Sequence, residues 1–311
     1  MNKTDLQDRV LAFIGGAADD FNDLALAVFA FQREHNLPYR NYCGHRVVER
    51  WQDIPAVPTS AFKHLPIACF PVAEAVAEFH TSGTTAAQAG KHYFKTLALY
   101  DAACVPNFRA HLFPDGATMP LLSLVPDQPH SSLAYMIRRL GAQFVDRLAP
   151  VTEPVCVLGT AFHFLNLFDA GFRLKLPAGS RVMETGGFKG RAREVSKREL
   201  HRLIAERLGV TMIINEYGMT ELSTQFYDRQ PGSDCKDVPP WARVLIMDPA
   251  TGREAQPGQR GLIRVFDLAN LWSAMAIQTE DLGVAVGNGF EILGRIVGAD
   301  VRGCSLNAEP Q

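Results

Sequence analysis

Cys304, in the stretch VRGCSLNAEPQ, follows a glycine and is itself followed by only seven residues. A thiolate on a segment that can bend is a nucleophile able to take an acyl group as a thioester and carry it outward. Read blandly, the same residue is a small hydrophobe in a tail. Its five companions, Cys43, Cys69, Cys104, Cys156 and Cys235, form no CxxC pair. They suggest neither a zinc site nor a disulfide framework and are expected to be buried and inert.

Four polar motifs precede that cysteine. FHTSGTTAAQAGKHYF sets Thr81, Ser82, Thr84 and Thr85 around Gly83, ahead of Lys91, and such a stretch can cradle phosphate oxygens with backbone N–H groups and hydroxyls. It is not a Walker A loop: Gly83 and Gly90 are too far apart, and His92 follows Lys91 where Ser or Thr is required. RVMETGGFKGR carries Gly186 and Gly187 after a strand-like run, where a planar ligand can approach backbone. VTMIINEYGMTE, read as a strand ending at Asn215, delivers Glu216, Tyr217, Thr220 and Glu221 to a loop, where an aromatic, a hydroxyl and a carboxylate can stack on a base, touch a phosphate and hold Mg2+. QTEDLG and EILGR add Asp281, which can accept both hydroxyls of a ribose, and Arg295, a fork for phosphate or ribose oxygens. Taken singly, each motif is equally a polar turn. His80 and His163 are either substrate-orienting groups or satisfied polar residues. Phe162, Phe164, Leu165 and Phe168 either line an acyl pocket or belong to an amphipathic core helix.

The elements that must position these groups follow from periodicity. The first 60 residues read as helical, with Thr4 and Gln7 in a capping-box pattern, and WQDIPAVPTSAF then reads as a connection wrapped on the core through Trp51, Ile54 and Phe62. From 61 to 235, the runs PLLSLV, VCVLGT, RVMET and VTMIIN alternate with helical stretches, which predicts an α/β layered sheet. One helix is well marked: Ser196 and Glu199 cap it, Leu200, Leu203, Ile204 and Leu208 share a face, and Gly209 stands at its end. From 236 to 311, WARVLIMD, GLIRVFDL, SAMAIQT and GFEILGR predict a small β-rich subdomain and a tail carrying Cys304.

The chain has 311 residues, 47% of them hydrophobic and 21% charged, with a formal net charge of -2. That composition buries a large core and gives no electrostatic case for nucleic acid. No apolar run reaches the roughly 18 residues that span a bilayer, and the acidic start MNKTDLQD is unlike a secretory signal. A cytoplasmic protein with a small-molecule or protein partner, and no membrane insertion, is expected.

Taken in order, TSGTT, the GG turn, YGMTE, TEDLG and GR resemble the adenylate-forming superfamily of acyl-CoA synthetases, peptide-synthetase adenylation domains and luciferases. Within it, FHTSGTT, METGGFKGR, EYGMTELSTQFYD, QTEDLG and RGCSL resemble the acyl-protein synthetase of the bacterial bioluminescence fatty acid reductase complex, over residues 37–306. The resemblance implies that Thr81, Ser82, Gly83, Thr84 and Thr85 hold the ATP phosphates with Lys91 nearby. It further implies that Gly186 and Gly187 line the adenine pocket, Tyr217 stacks on the base, Thr220 contacts the α-phosphate and Glu221 binds Mg2+. Asp281 would bind the ribose with help from Arg295, and Cys304 would become acylated.

Two departures from the superfamily pattern stand out. Ala86 replaces a glycine of the phosphate loop, and Lys91 falls two residues late. The chain also stops soon after the GR motif, where the superfamily continues into a mobile lid domain, so a chain without that lid is expected. The implied activity is activation of a carboxylic acid, fatty by resemblance, as acyl-AMP, then transfer to Cys304 and on to a partner protein, a reductase or carrier. The alternatives are an acyl-CoA or carrier-protein ligase in which Cys304 is structural, and a nucleotide-binding subunit without turnover.

Overall fold

The computed structural model describes residues 3–81, 89–186 and 195–295. Ser82, Gly83, Thr84, Thr85, Gly187 and Cys304 lie outside them.

A largely parallel sheet carries the α/β part. Its strands are β4 (Leu121–Ser123), β5 (Gln143–Phe144), β6 (Cys156–Thr160), β7 (Arg181–Thr185), β8 (Met212–Tyr217) and β9 (Phe226–Tyr227), in the order β5-β4-β6-β7-β8-β9, and only β9 runs antiparallel. Neighbouring apolar residues on each central strand face opposite ways, as the period of two requires. Leu158, Met183 and Ile214 pack with α4 (Ala98–Leu112) and α5 (Ser132–Arg139). Val157, Val182 and Ile213 pack with α6 (Ala161–Asp169) and α7 (Lys197–Leu208). The expected α7 is present: the Ser196 hydroxyl accepts from Glu199 N, Leu200, Ile204 and Leu208 are buried, and Gly209 closes the helix at φ 73°.

The second sheet runs β10-β14-β13-β12-β11, built from β10 (Cys235–Lys236), β11 (Ala242–Met247), β12 (Gly261–Asp267), β13 (Ala276–Val286) and β14 (Gly289–Arg295). All five are antiparallel to their neighbours, and β1 (Val57–Pro58) adds in parallel beside β13. One hydrophobic core joins this sheet to α1 (Lys3–Ile14), α2 (Phe21–His35) and α3 (Leu37–Cys43). Gln32, fully buried on α2, donates to the carbonyls of Asn270 and Leu271 and accepts from Met275 N. Ile54 and Phe62 of the wrapped connection are buried in the same core, as expected. Gln7, on α1, accepts from the Trp272 indole at 2.8 Å.

A two-stranded hairpin, β2 (Ala77–His80) with β3 (Lys91–Phe94), stands apart from both sheets.

Two boundaries differ from the sequence reading. The strand expected to end at Asn215 runs on to Tyr217, because β9 pairs with Glu216 and Tyr217. The strand read as SAMAIQT runs on through TEDLG to Val286: Thr279 and Glu280 bulge past β12, with the Thr279 hydroxyl donating to Ile263 O, and Asp281 pairs with Arg295 of β14.

Candidate active site

The hairpin positions the phosphate-loop motif. His80 and Lys91 are directly opposite across β2 and β3, so residues 81–90 leave and return at one point. Thr81 N donates to Gly90 O at 2.9 Å, and Gly90 N donates to the Thr81 hydroxyl at 2.8 Å. Thr81 therefore fixes the neck of the loop. The late placement of Lys91 puts it at the foot, with its ammonium 3.7 Å from the Glu78 carboxylate.

The YGMTE segment reaches both the hairpin and the second sheet. Thr220 Oγ1 donates to His80 O at 3.3 Å, while the Thr220 carbonyl accepts from His92 Nδ1 at 2.8 Å. His92 is buried, and burial lowers its pKa from 6.5 to about 4, so the ring is held neutral. Tyr217 lies between Phe226 and Phe290, its phenol pushed well up by burial, and its hydroxyl donates to Asp281 Oδ2 at 2.8 Å. Asp281 faces Arg295 across β13 and β14, and Arg295 Nη2 donates to Glu280 at 2.5 Å. Glu221 is 7% exposed and close enough to Tyr217 and Arg295 to act on both electrostatically. Gly186 directly follows β7 at φ 71°, a conformation that favours glycine. The structure thus gathers Thr81, Lys91 and Thr220 on one side and Tyr217, Glu221, Asp281 and Arg295 on the other, joined through residues 217–221.

What holds this arrangement is a set of buried polar groups, of which the sequence reading named only Glu216. Lys236, on β10, has its ammonium 2.8 Å from Asp228 and also on the Asn215 carbonyl oxygen, which ties the second sheet to β8. Burial pushes the Lys236 pKa down, and Asp228 opposes that. Asp267, at the end of β12, accepts from the N–H groups of Ser223 and Thr224 and from the Thr224 hydroxyl, securing the chain just past Glu221. Glu216, fully enclosed, accepts from the Thr185 hydroxyl, and burial raises its pKa to about 7. A Cβ on Gly218 would come within 2.3 Å of Glu216 Oε1, so the Y-G step of the motif needs glycine for clearance.

The remaining candidates are accounted for by packing. His163 and Thr160 cap α6 reciprocally, and Phe164, Leu165 and Phe168 are core residues of that helix. The five cysteines outside the tail are buried and form no disulfide.

The acyl-protein synthetase family, LuxE, matches residues 117–310, more than half of the chain. The chain belongs to that family. The long-chain-fatty-acid–luciferin-component ligase of Aliivibrio fischeri is 22% identical over 329 residues, covering 91% of this chain and 86% of the relative. The Vibrio harveyi ligase of the same name is 22% identical over 338 residues, with the same coverage. Among solved structures, a 2-hydroxyisobutyryl-CoA ligase in complex with 2-HIB-AMP and CoA superposes with a TM-score of 0.64 at 16% identity, over 86% of this chain and 72% of that one. ATP-bound MatB from Rhodopseudomonas palustris gives a TM-score of 0.51 at 18% identity, over 73% of this chain and 49% of that one. The layered α/β fold of the acyl-protein synthetase is therefore shared with adenylate-forming ligases. Among the described residues, no helix is long and apolar enough to cross a membrane.

Proposed function

We propose that this acyl-protein synthetase activates a fatty acid with ATP and loads it onto its own Cys304. In the first step a carboxylate oxygen of the acid bonds to the α-phosphorus of ATP, the bond to the bridging oxygen breaks, and pyrophosphate leaves. In the second, the Cys304 thiol gives its proton to solvent, the thiolate sulfur bonds to the acyl carbon of the adenylate, the bond from that carbon to the phosphate oxygen breaks, and AMP leaves. A partner protein, a reductase or carrier, then takes the acyl group from the thioester.

The observation that carries the reading is the double reach of residues 217–221, where Thr220 binds the foot of the phosphate-loop hairpin and Tyr217 binds Asp281. A nucleotide held at one end by its phosphates and at the other by its ribose requires such a link. Thr81 and Thr220 would orient the phosphates, with Lys91 at the loop's foot, and Asp281 would accept the ribose hydroxyls with Arg295 beside it. Tyr217, Gly186 and Gly187 would bound the adenine. In-line attack of this kind depends on positioning and charge neutralisation more than on acid-base chemistry.

Glu221 offers one enclosed carboxylate, the donor set Mg2+ accepts when substrate phosphates and water complete its shell. When bound, the ion neutralises charge on the phosphate oxygens. Assignment of acylation to Cys304 is supported by the state of four of the other five thiols. Burial pushes Cys156 up to about 12 and Cys104 higher still, and Cys43 and Cys235 are also raised by burial. Such thiols supply almost no thiolate near neutral pH.

Exchange of labelled pyrophosphate into ATP, dependent on an added fatty acid, tests the first step. Exchange that does not require a carboxylic acid, or none with any acid, overturns it.

A further inference from the structure

Three metal-ligating side chains converge at the foot of the phosphate-loop hairpin, in a cluster the adenylation reading does not use. His80 Nε2 is 2.8 Å from Glu78 Oε1, and His130 Nδ1 is 3.7 Å from the same oxygen. All three offer a ligand atom within 4.8 Å of one another. We propose that Glu78, His80 and His130 form a binding site for a zinc-class divalent ion, with water at the remaining position.

The donor set is two imidazoles and a carboxylate, the set zinc takes in open sites. Metal–ligand bonds near 2.1 Å in a tetrahedron separate ligand atoms by about 3.4 Å, and the two separations to Glu78 bracket that value. Backbone fixes where the three residues stand. Glu78 and His80 share one face of β2, and His80 N donates to His130 O at 2.8 Å, which locks the turn at residue 130 against that strand. Thr220 holds the His80 carbonyl from the other side.

Three adjustments accompany binding. His130 Nδ1 lies 3.2 Å from the Glu78 main-chain carbonyl, to which it can only donate, so it gives up that contact and its proton to ligate. The imidazoles of His80 and His130 lie stacked, centroids 4.4 Å apart and planes at 6°, and parallel rings cannot both aim in-plane lone pairs at one ion. Their side chains are 29% and 49% exposed, so the rings have room to turn out of the stack. The Lys91 ammonium, 3.7 Å from Glu78 Oε1, must also leave that carboxylate, which releases it toward the loop it flanks. Mg2+ is disfavoured here, because it prefers oxygen ligands and near-octahedral geometry.

The test uses the full chain, freed of metal with a chelator and without nucleotide, so it is independent of adenylation. Co2+ is titrated in and followed by its visible absorption, and Zn2+ affinity is measured by competition. We expect one Co2+ with a spectrum of nitrogen and oxygen ligation. Glu78→Gln, His80→Asn and His130→Gly should each weaken Zn2+ binding by about tenfold or more. Glycine suits φ 60° at position 130, so that variant keeps the turn and remains decisive if the strand variants misfold. A sulfur-to-cobalt charge-transfer band, or a loss smaller than about tenfold in folded His130→Gly, overturns the site.

Discussion

The Tyr217 hydroxyl donates to Asp281 Oδ2 at 2.8 Å, joining the last residue of β8 to the middle of β13 and so holding the two sheets in register where their motifs meet. A carboxylate already oriented by a phenol loses less freedom when it grips a ribose. Tyr217→Phe should cost about 1 kcal/mol of that orientation, read as a several-fold rise in the ATP needed for half-maximal exchange. Asp281→Ala should cost about 2 kcal/mol, a shift of roughly thirtyfold. Unchanged ATP dependence in a folded Asp281→Ala would move the nucleotide elsewhere.

Glu221→Gln keeps the side chain's size but removes the charge proposed to hold Mg2+. Adenylation should fall about tenfold or more, a barrier increase of about 1.4 kcal/mol, with the deficit largest at limiting Mg2+. Wild-type turnover at limiting Mg2+ would remove this role.

Gly218→Ala places a methyl 2.3 Å from the Glu216 carboxylate, where β8 and the buried side chain leave little room to give. Overpacking of this kind costs about 1–3 kcal/mol, so thermal unfolding should move down by several degrees. An unmoved transition would mean that the Glu216 side chain has another rotamer available.

His92 is neutral in the folded chain down to about pH 4, whereas an unfolded imidazole takes its proton near 6.5. Between those values only the unfolded chain binds the proton, so stability rises with pH across that window and is fully present above 6.5. The contribution lost on going to pH 4 is on the order of 3 kcal/mol. His92→Asn should flatten the curve of unfolding free energy against pH between 4 and 6.5, and an unaltered slope would assign the acid sensitivity to other groups.

How far these positions were legible from sequence depends on whether they act through local pattern or through distant pairing. The strand VCVLGT was readable because it is an apolar run buried on both faces, and α7 because its cap, stripe and closing glycine lie within a few turns. Asp281 was recognised as a site residue while its strand was cut short, since Thr279, Glu280 and Asp281 break the apolar pattern and bulge past β12, and only Asp281 is paired with β14. The Lys236–Asp228 pair was invisible: an isolated lysine in a polar stretch gives no sign that it will be 2% exposed and bridge two sheets. His92 was noticed only as the wrong residue for a Walker A loop, yet its ring supports the Thr220 carbonyl from 128 residues away.

The central claim is that Cys304 accepts the acyl group from an adenylate made upstream. Peptide mapping of the wild-type chain after incubation with ATP and fatty acid, beside Cys304→Ser, measures it most directly. Serine is far less ionised than cysteine near neutral pH and is a poor acceptor without a dedicated base. The account predicts a hydroxylamine-sensitive adduct on the Cys304 peptide alone, its loss in Cys304→Ser, and undiminished pyrophosphate exchange in both. An adduct on Cys43, Cys69, Cys104, Cys156 or Cys235, or full acylation of Cys304→Ser, would contradict it.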